Sequence, residues 1–204
     1  MTAALAFPVL FAAKSDGAVR EAAEPTDDDL VAAARRGDHD AFASLVRRHK
    51  PRVFGTAARF ARDDHQLDDL AQDVFVRAFQ KLAQFRHDAP FAHWLARITI
   101  TACYDFLRKE RRIRDRVALD SIEYELRDSS VEGAIAAGRA RELLAWGMRQ
   151  LTSEEQLILT LCELEERPMK EVAALTGWSE SNVKVRAFRA RHSLRKILED
   201  HHDS

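Results

Sequence analysis

The sequence predicts an all-α protein built as two small helical domains joined by a flexible linker. Apolar residues recur at three- and four-residue steps through 27–112 and again from 139 onward, the period of helices that bury one stripe. Between 113 and 137 that period fails, and acids, serines and Gly133 accumulate as they do in linkers. No stretch shows strand-like alternation and no internal repeat is present. A chain of 204 residues is long enough for two such domains with proper cores.

Residues 1–26 read as a disordered tail. Their apolar run, ALAFPVLFAAK, is too short to span a bilayer, lacks a basic leader and is interrupted by Pro8. Thr26 followed by Asp29 has the form of a capping box, and Gly37 closes the short helix it opens. Asp38 caps a longer helix with Phe42, Leu45, Val46, Val53, Phe54, Ala57 and Phe60 inward; Pro51 is expected to kink or break it. After Asp63-Asp64 a second long helix turns Leu67, Leu70, Ala71, Val74, Ala78 and Leu82 inward. The loop FRHDAP then leads to a third, buried through Phe91, Trp94, Leu95, Ile98 and Ala102. Short joins between these helices make a bundle over 27–113, with the linker at 114–137.

The second domain, 138–200, opens with Leu143, Leu144, Met148 and Leu151 on one stripe. A short helix at 169–176 carries Val172, Ala173 and Leu175 on its apolar side. Gly177 permits a sharp turn, and Ser179 caps a final helix whose buried stripe is Val183, Ala187, Ala190, Leu194 and Ile197. Its other faces hold Lys184, Arg186, Arg189, Arg191, Arg195 and Lys196, with no acid between Ser181 and Leu198. Short helix, glycine turn and basic helix together make a helix-turn-helix, whose second helix enters the DNA major groove.

The net charge of −1 conceals a sorted pattern. Cations collect at 47–62, 108–116 and the final helix; acids collect at 27–29, 63–73 and 154–171. Such segregation suits a protein that meets both an anionic polymer and a basic protein surface. On the third helix Arg97, Thr101, Tyr104, Arg108 and Arg111 share an outward face, and the loop before it adds Phe85. Cations with stacking groups suit unpaired nucleic acid. The same residues also suit a core of aromatics beneath solubilising arginines, and periodicity does not decide between the two. Asp69, Gln72, Asp73 and Val76 form an acidic face with one apolar contact on the second helix, matched to a basic protein partner or simply solvated. Cys103 and Cys162 lack ligand spacing and read as buried thiols in a reducing cytoplasm.

The ordered set QLDDLAQDVFVRAFQKL, FRHDAPFAHWLARITITACYDFLRKERR and VKVRAFRAR resembles the extracytoplasmic-function (ECF) sigma factors, small two-domain initiation subunits of bacterial RNA polymerase. The resemblance implies that 27–113 is sigma region 2 and 138–200 is region 4. It implies that Asp69, Gln72, Asp73 and Val76 dock on core polymerase, whose clamp helices and flap receive the two domains. Phe85, Arg86, His87, Asp88, Arg97, Thr101, Tyr104 and Arg108 would engage the unwound minus-ten element, where a base flips into a protein pocket. Lys184, Val185, Phe188 and Arg189 would read the minus-thirty-five duplex while Ser181, Asn182 and Arg186 hold phosphates. Thr101 stands where many relatives carry Asn, and Val185 where they often carry Ser, so promoter sequence is not transferable. An anti-sigma factor, membrane-anchored in many relatives, is a further implied partner. Its helical segment is expected in a groove lined by both domains and by 69–76. No cofactor, metal or small-molecule substrate is implied, and the chain is expected in the cytoplasm.

Two other classes leave more unexplained. A stand-alone helix-turn-helix regulator has no use for the acidic helix. A metal-dependent hydrolase built on Asp63, Asp64, Asp68, Asp69 and Asp73 lacks a general base and a phosphate-cradling loop.

Overall fold

A computed structural model describes residues 24–120 and 134–202. The apolar run at 3–13 lies outside the described residues. All regular structure among them is helical: α1 (Asp27–Arg35), α2 (His39–Ala57), α3 (Asp64–Lys81), α4 (Phe91–Asp120), α5 (Ala134–Gln150), α6 (Ser153–Leu159), α7 (Met169–Thr176) and α8 (Glu180–His202). A 3-10 turn, Leu82–Gln84, prolongs α3, and a π-helical turn, Thr160–Leu164, prolongs α6.

Helices α1–α4 form the first bundle. Thr26 caps α1 through a complete capping box with Asp29, and the side chains of Asp38 and Asp63 accept from Ala41 and Gln66 to cap α2 and α3. Each such cap contributes about 1 kcal/mol by satisfying an otherwise free amide. The core joins Val31, Leu45, Val53, Ala57, Val74, Ala78, Phe91 and Ala102, all nearly inaccessible. Contrary to the expected break, α2 runs unbroken through Pro51. Leu45, His49, Val53 and Ala57 are buried on either side of the proline, whose ring lies on the exposed face. Packing of those turns offsets the roughly 3 kcal/mol that an interior proline costs.

The linker boundary also moves. Helix α4 continues seven residues past Ile113 to Asp120, and α5 begins at Ala134; 121–133 lies outside the described residues. The apolar period fails beyond Ile113 because α4 has left the core there and needs no buried stripe. An Arg111–Asp115 pair at 3.7 Å, four residues apart, supports the exposed turns.

Helices α5–α8 form the second bundle. Gly147 lets α5 approach α8 closely: a Cβ there would lie 2.9 Å from the Leu198 side chain and 3.0 Å from that of Leu194. Leu143 and Leu144, expected inward, are partly exposed at 36% and 38%. Gly177 ends α7 at φ +78°, a left-handed conformation that suits glycine. The Ser179 hydroxyl accepts from the Asn182 amide at 3.2 Å and starts α8.

The two bundles dock on one another through α4, which packs against α6 and α7. The Arg111 guanidinium donates to the Leu151 carbonyl at 2.9 Å, and that of Arg167 to the Thr56 hydroxyl at 3.5 Å. Arg167 is further paired with Glu165 and Glu171. Two grooves lie along this junction. One, of about 610 Å³, is lined by Arg52, Phe85, Trp94 and Arg97 opposite Pro168 and Leu175. The other is lined by Phe60, Phe106 and Arg114 opposite Arg141, Leu144 and Met148. Neither is lined by any of 69–76, and α3 packs on α2 and α4.

Candidate nucleic-acid and protein interfaces

Three surfaces carry the residues singled out in the sequence. On α3, Asp69 and Gln72 are exposed and Val76 is 38% exposed, so they do share an accessible face. Phe79, one turn on, is 37% exposed and extends the apolar part of this face; its ring packs edge-on against Phe42 at 4.9 Å. Its spacing of seven from Gln72 and three from Val76 puts it on their face, although it was not among the docking residues singled out. Asp73 is more engaged than its neighbours. Its carboxylate accepts from Arg77 at 3.0 and 2.9 Å, and Arg77 also reaches Asp105 on α4 at 2.5 Å. Burial acts to lower the Arg77 pKa, but hydrogen bonds to Asp105 and Asp73 outweigh it and hold the group above its usual range. Arg77 therefore ties α3 to α4, and Asp73 braces it from the same helix while partly facing solvent.

The second surface is the 85–90 loop with the outer face of α4. Arg86, His87, Asp88, Arg97, Thr101 and Arg108 are exposed, and Tyr104 is half-buried with Arg108 over its ring at 5.9 Å. The Thr101 hydroxyl donates to the Arg97 carbonyl at 2.9 Å, leaving its lone pairs and methyl outward. Phe85 is a correction. It is 3% exposed, with its ring 5.8 Å from Phe91 and 5.3 Å from Trp94, so it is no open stacking platform. An aromatic beside a loop cannot be assigned inward or outward from spacing, and these three rings, with Phe85 edge-on to Phe91 and tilted to Trp94, exclude more water together than apart. His87 stacks on Phe85 at 4.5 Å with φ +58°, and its Nδ1 meets Asp28 at 3.0 Å. Arg111, placed on the same outward stripe by spacing, turns to Leu151 of the second bundle instead.

The third surface is α8. Lys184, Arg189, Ser181 and Asn182 are exposed, Val185 is 47% exposed and Phe188 is 68% exposed. Phe188 projects from a helix whose opposite stripe, Val183, Ala187 and Ala190, is fully buried. With Val185 it leaves apolar area open amid the cations of this face. Arg186 behaves differently from a solvated phosphate clamp. Its Nε donates to Asn182 at 2.7 Å, its guanidinium lies 4.4 Å from the Trp178 ring centre, and it is ion-paired with Glu154 on α6. Those contacts fix α8 against α6 and leave Arg186 little freedom to reach a strand.

Among the described residues no three acidic, histidine or cysteine side chains converge as a metal site, and no helix is long and apolar enough to cross a membrane. The acidic run at 63–73 is divided among a helix cap, the Arg77 network and the His65–Asp69 pair at 3.3 Å. Cys103 is buried and its thiol is pushed well up by that burial.

A helical two-bundle chain with an acidic docking face and two basic faces has the form of a promoter-recognition subunit. The family model for Sigma-70 region 2 matches residues 45–113, and that for Sigma-70 region 4 matches 147–194. The chain is 31% identical to the ECF RNA polymerase sigma factor SigM of Mycobacterium tuberculosis, over 86% of each chain. It is 32% identical to the RNA polymerase sigma-H factor of Pseudomonas aeruginosa, over 85% of this chain and 94% of that one. The solved structure of CnrH in complex with the cytosolic domain of CnrY matches with a TM-score of 0.52 at 29% identity, covering 85% of this chain and 97% of that chain. The sigma factor RpoE in complex with the anti-sigma factor NepR from Bartonella quintana shares the fold, with a TM-score of 0.51 at 20% identity over 78% and 96% of the two chains. The chain belongs to the sigma-70 family, in its extracytoplasmic-function group.

Proposed function

We propose that this chain is an alternative sigma factor that binds core RNA polymerase through α3 and directs it to promoters by reading two DNA elements. The single observation that carries this is the exposure of three chemically distinct faces on one chain: acidic-apolar on α3, basic on α4 with its loop, and basic with a bare phenylalanine on α8. A stand-alone regulator needs the last of these and has no use for the first.

In this reading Asp69, Gln72, Asp73 and Val76, joined by Phe79, contact the polymerase. Arg86, His87, Asp88, Arg97, Thr101, Tyr104 and Arg108 contact the unwound minus-ten strand. Arg97 and Arg108 attract its phosphates, and the groove floored by Phe85 and Trp94 offers an apolar wall to an unstacked base. Lys184, Val185, Phe188 and Arg189 meet base edges of the minus-thirty-five duplex from the major groove, with Ser181 and Asn182 at the backbone. The valine and the phenylalanine favour apolar contact such as a thymine methyl. Arg186 supports the helix from behind.

The two DNA elements lie about 25 base pairs apart, about 85 Å at 3.4 Å per pair. The docked arrangement of the bundles brings α7 against the minus-ten loop, so the α4 junction must open for both elements to be read together. The docked form fits control by an anti-sigma factor, by analogy with RpoE, which is solved in complex with NepR. A subunit that acts on core polymerase and promoter DNA works in the cytoplasm, where both are found.

The test is reconstitution. Purified chain mixed with core polymerase is expected to co-elute with it, and to retain promoter fragments only in that mixture. Tight, core-independent binding of the chain to a palindromic duplex would instead favour the stand-alone regulator.

A further inference from the structure

The 85–88 loop is tethered to α1 by side chains some fifty residues away. Arg35, in the last turn of α1, donates from Nη2 to the Ala83 carbonyl at 3.0 Å and from Nη1 to the Phe85 carbonyl at 3.3 Å. These carbonyls belong to the open end of the 3-10 turn, where a helix leaves its last acceptors without partners and favours a cation. Asp28, in the first turn, holds the His87 ring at 3.0 Å. His87 sits at φ +58°, a left-handed conformation that a residue with a side chain keeps when its surroundings impose it.

Helix α1 is itself anchored. Asp27 accepts from Arg48 at 2.7 Å and meets His49 Nε2 at 2.8 Å, while the Pro25 carbonyl accepts from Arg48 at 2.9 Å. His49 is buried and lies 5.2 Å from Phe91, at the start of α4. A continuous set of contacts thus runs from α2 through α1 to the loop, while Phe85 pins the loop from below.

We propose that α1 is a clamp that presets the 85–88 loop for capture of an unpaired base, with Arg35 as its positioning residue. This rests on the reading of that loop as a minus-ten contact. Holding the backbone at Ala83 and Phe85 fixes where Arg86, His87 and Asp88 stand relative to Arg97 on α4. The loop then need not be ordered when DNA arrives, which raises affinity without a new DNA contact. Two of the three Arg35 guanidinium nitrogens are committed to these carbonyls.

The experiment uses holoenzyme, reconstituted from core polymerase and the full chain, on a promoter mapped by run-off transcription. The non-template strand of the minus-ten element carries 2-aminopurine, whose emission rises when the base leaves the stack. Arg35→Ala is expected to lower open-complex formation about tenfold and to dim the emission at one captured position. Affinity for core and for a minus-thirty-five duplex should stay within about twofold of wild type. Arg35→Lys, which keeps the charge but only one donor nitrogen, should recover part of the signal. Arg36→Ala removes the same charge next door without cutting the tether, and should behave as wild type. Equal losses for Arg35→Ala and Arg36→Ala would overturn the clamp, because charge alone would then explain the effect. Arg86→Ala and His87→Ala check the loop reading itself. If neither changes minus-ten binding, the loop is no DNA contact and the clamp falls with it. If they weaken binding while Arg35→Ala does not, the loop reading stands and the clamp alone is refuted.

Discussion

Charge reversal on α3 separates docking from folding. Asp69 has a side chain 69% exposed, with His65 at 3.3 Å as a surface partner, so Asp69→Arg should change stability by no more than about 0.5 kcal/mol. Gln72 is exposed, and Gln72→Arg should be as well tolerated. Asp73→Arg is different, because Asp73 holds Arg77 through two contacts at 2.9 and 3.0 Å. With the Asp73 side chain 44% exposed, loss of this pair costs about 0.5–1 kcal/mol. A second guanidinium about 4 Å from Arg77 adds about 1 kcal/mol of repulsion in a water-like dielectric. The sum, about 1.5–2 kcal/mol, corresponds to a fall of about 3–8 °C in Tm for a chain of this size. The assay is paired: titration of labelled chain against core polymerase, and thermal unfolding of the same samples. All three variants should lose core affinity by about tenfold or more, since each places a cation where a basic partner must approach. Only Asp73→Arg should shift Tm. Wild-type core affinity in Asp69→Arg and Gln72→Arg would refute the docking face, and an unshifted Tm in Asp73→Arg would refute the structural role of the Arg77 network.

Four further expectations follow from the rest of the molecule. Lys184→Ala, Phe188→Ala and Arg189→Ala should each cost about 1–3 kcal/mol of promoter binding and relax sequence preference at one position of the minus-thirty-five element. Arg186→Ala should lower the Tm and leave the salt dependence of DNA binding unchanged, because its guanidinium is held by Asn182, Trp178 and Glu154; binding isotherms over a salt series check this. At Glu155, burial pushes the carboxyl up, but hydrogen bonds from the Ser193 and Thr152 hydroxyls and the Thr152 amide, with Arg111 near, outweigh it and hold the group below its ordinary 4.5. A depressed folded-state pKa contributes stability that is present above pH 4.5 and lost as pH falls through the folded value. The Tm advantage of wild type over Glu155→Gln should therefore shrink in that acidic window, and a pH-independent difference would contradict it. Finally, dyes at the exposed positions Gln80 and His192 should lose energy transfer when core polymerase is added, as the α4 junction opens; unchanged transfer would mean that the bundles stay docked.

Much of the fold was legible because a helix that buries one stripe must announce it every three or four residues. The stripe Val183, Ala187 and Ala190, the turn at Gly177 and the caps at Thr26, Asp38 and Ser179 all stand where local chemistry puts them. The failures are tertiary. Pro51 does not break α2, because packing of the turns on either side outweighs a local preference. Residues 114–120 stay helical past the point where spacing placed the start of the linker. Most outward side chains, Arg97, Arg108, Lys184 and Arg189 among them, were readable, whereas the cations that turn to another helix were not. Arg35, Arg111, Arg167 and Arg186 each select a partner from a different helix or turn, which linear spacing does not encode. Phe85 and Phe188 make the same point in opposite directions: equal hydrophobicity, one at 3% exposure and one at 68%.

Run-off transcription tests the central claim most directly. Core polymerase, the purified chain and fragmented genomic DNA from the source organism are combined, and transcript starts are mapped with and without the chain. The account predicts a discrete set of starts that require the chain and share a two-part upstream element. Lys184→Ala and Arg97→Ala should each diminish those transcripts, through different halves of that element. No chain-dependent start, with core polymerase active on a control template, would contradict the assignment of these three surfaces to promoter-directed initiation.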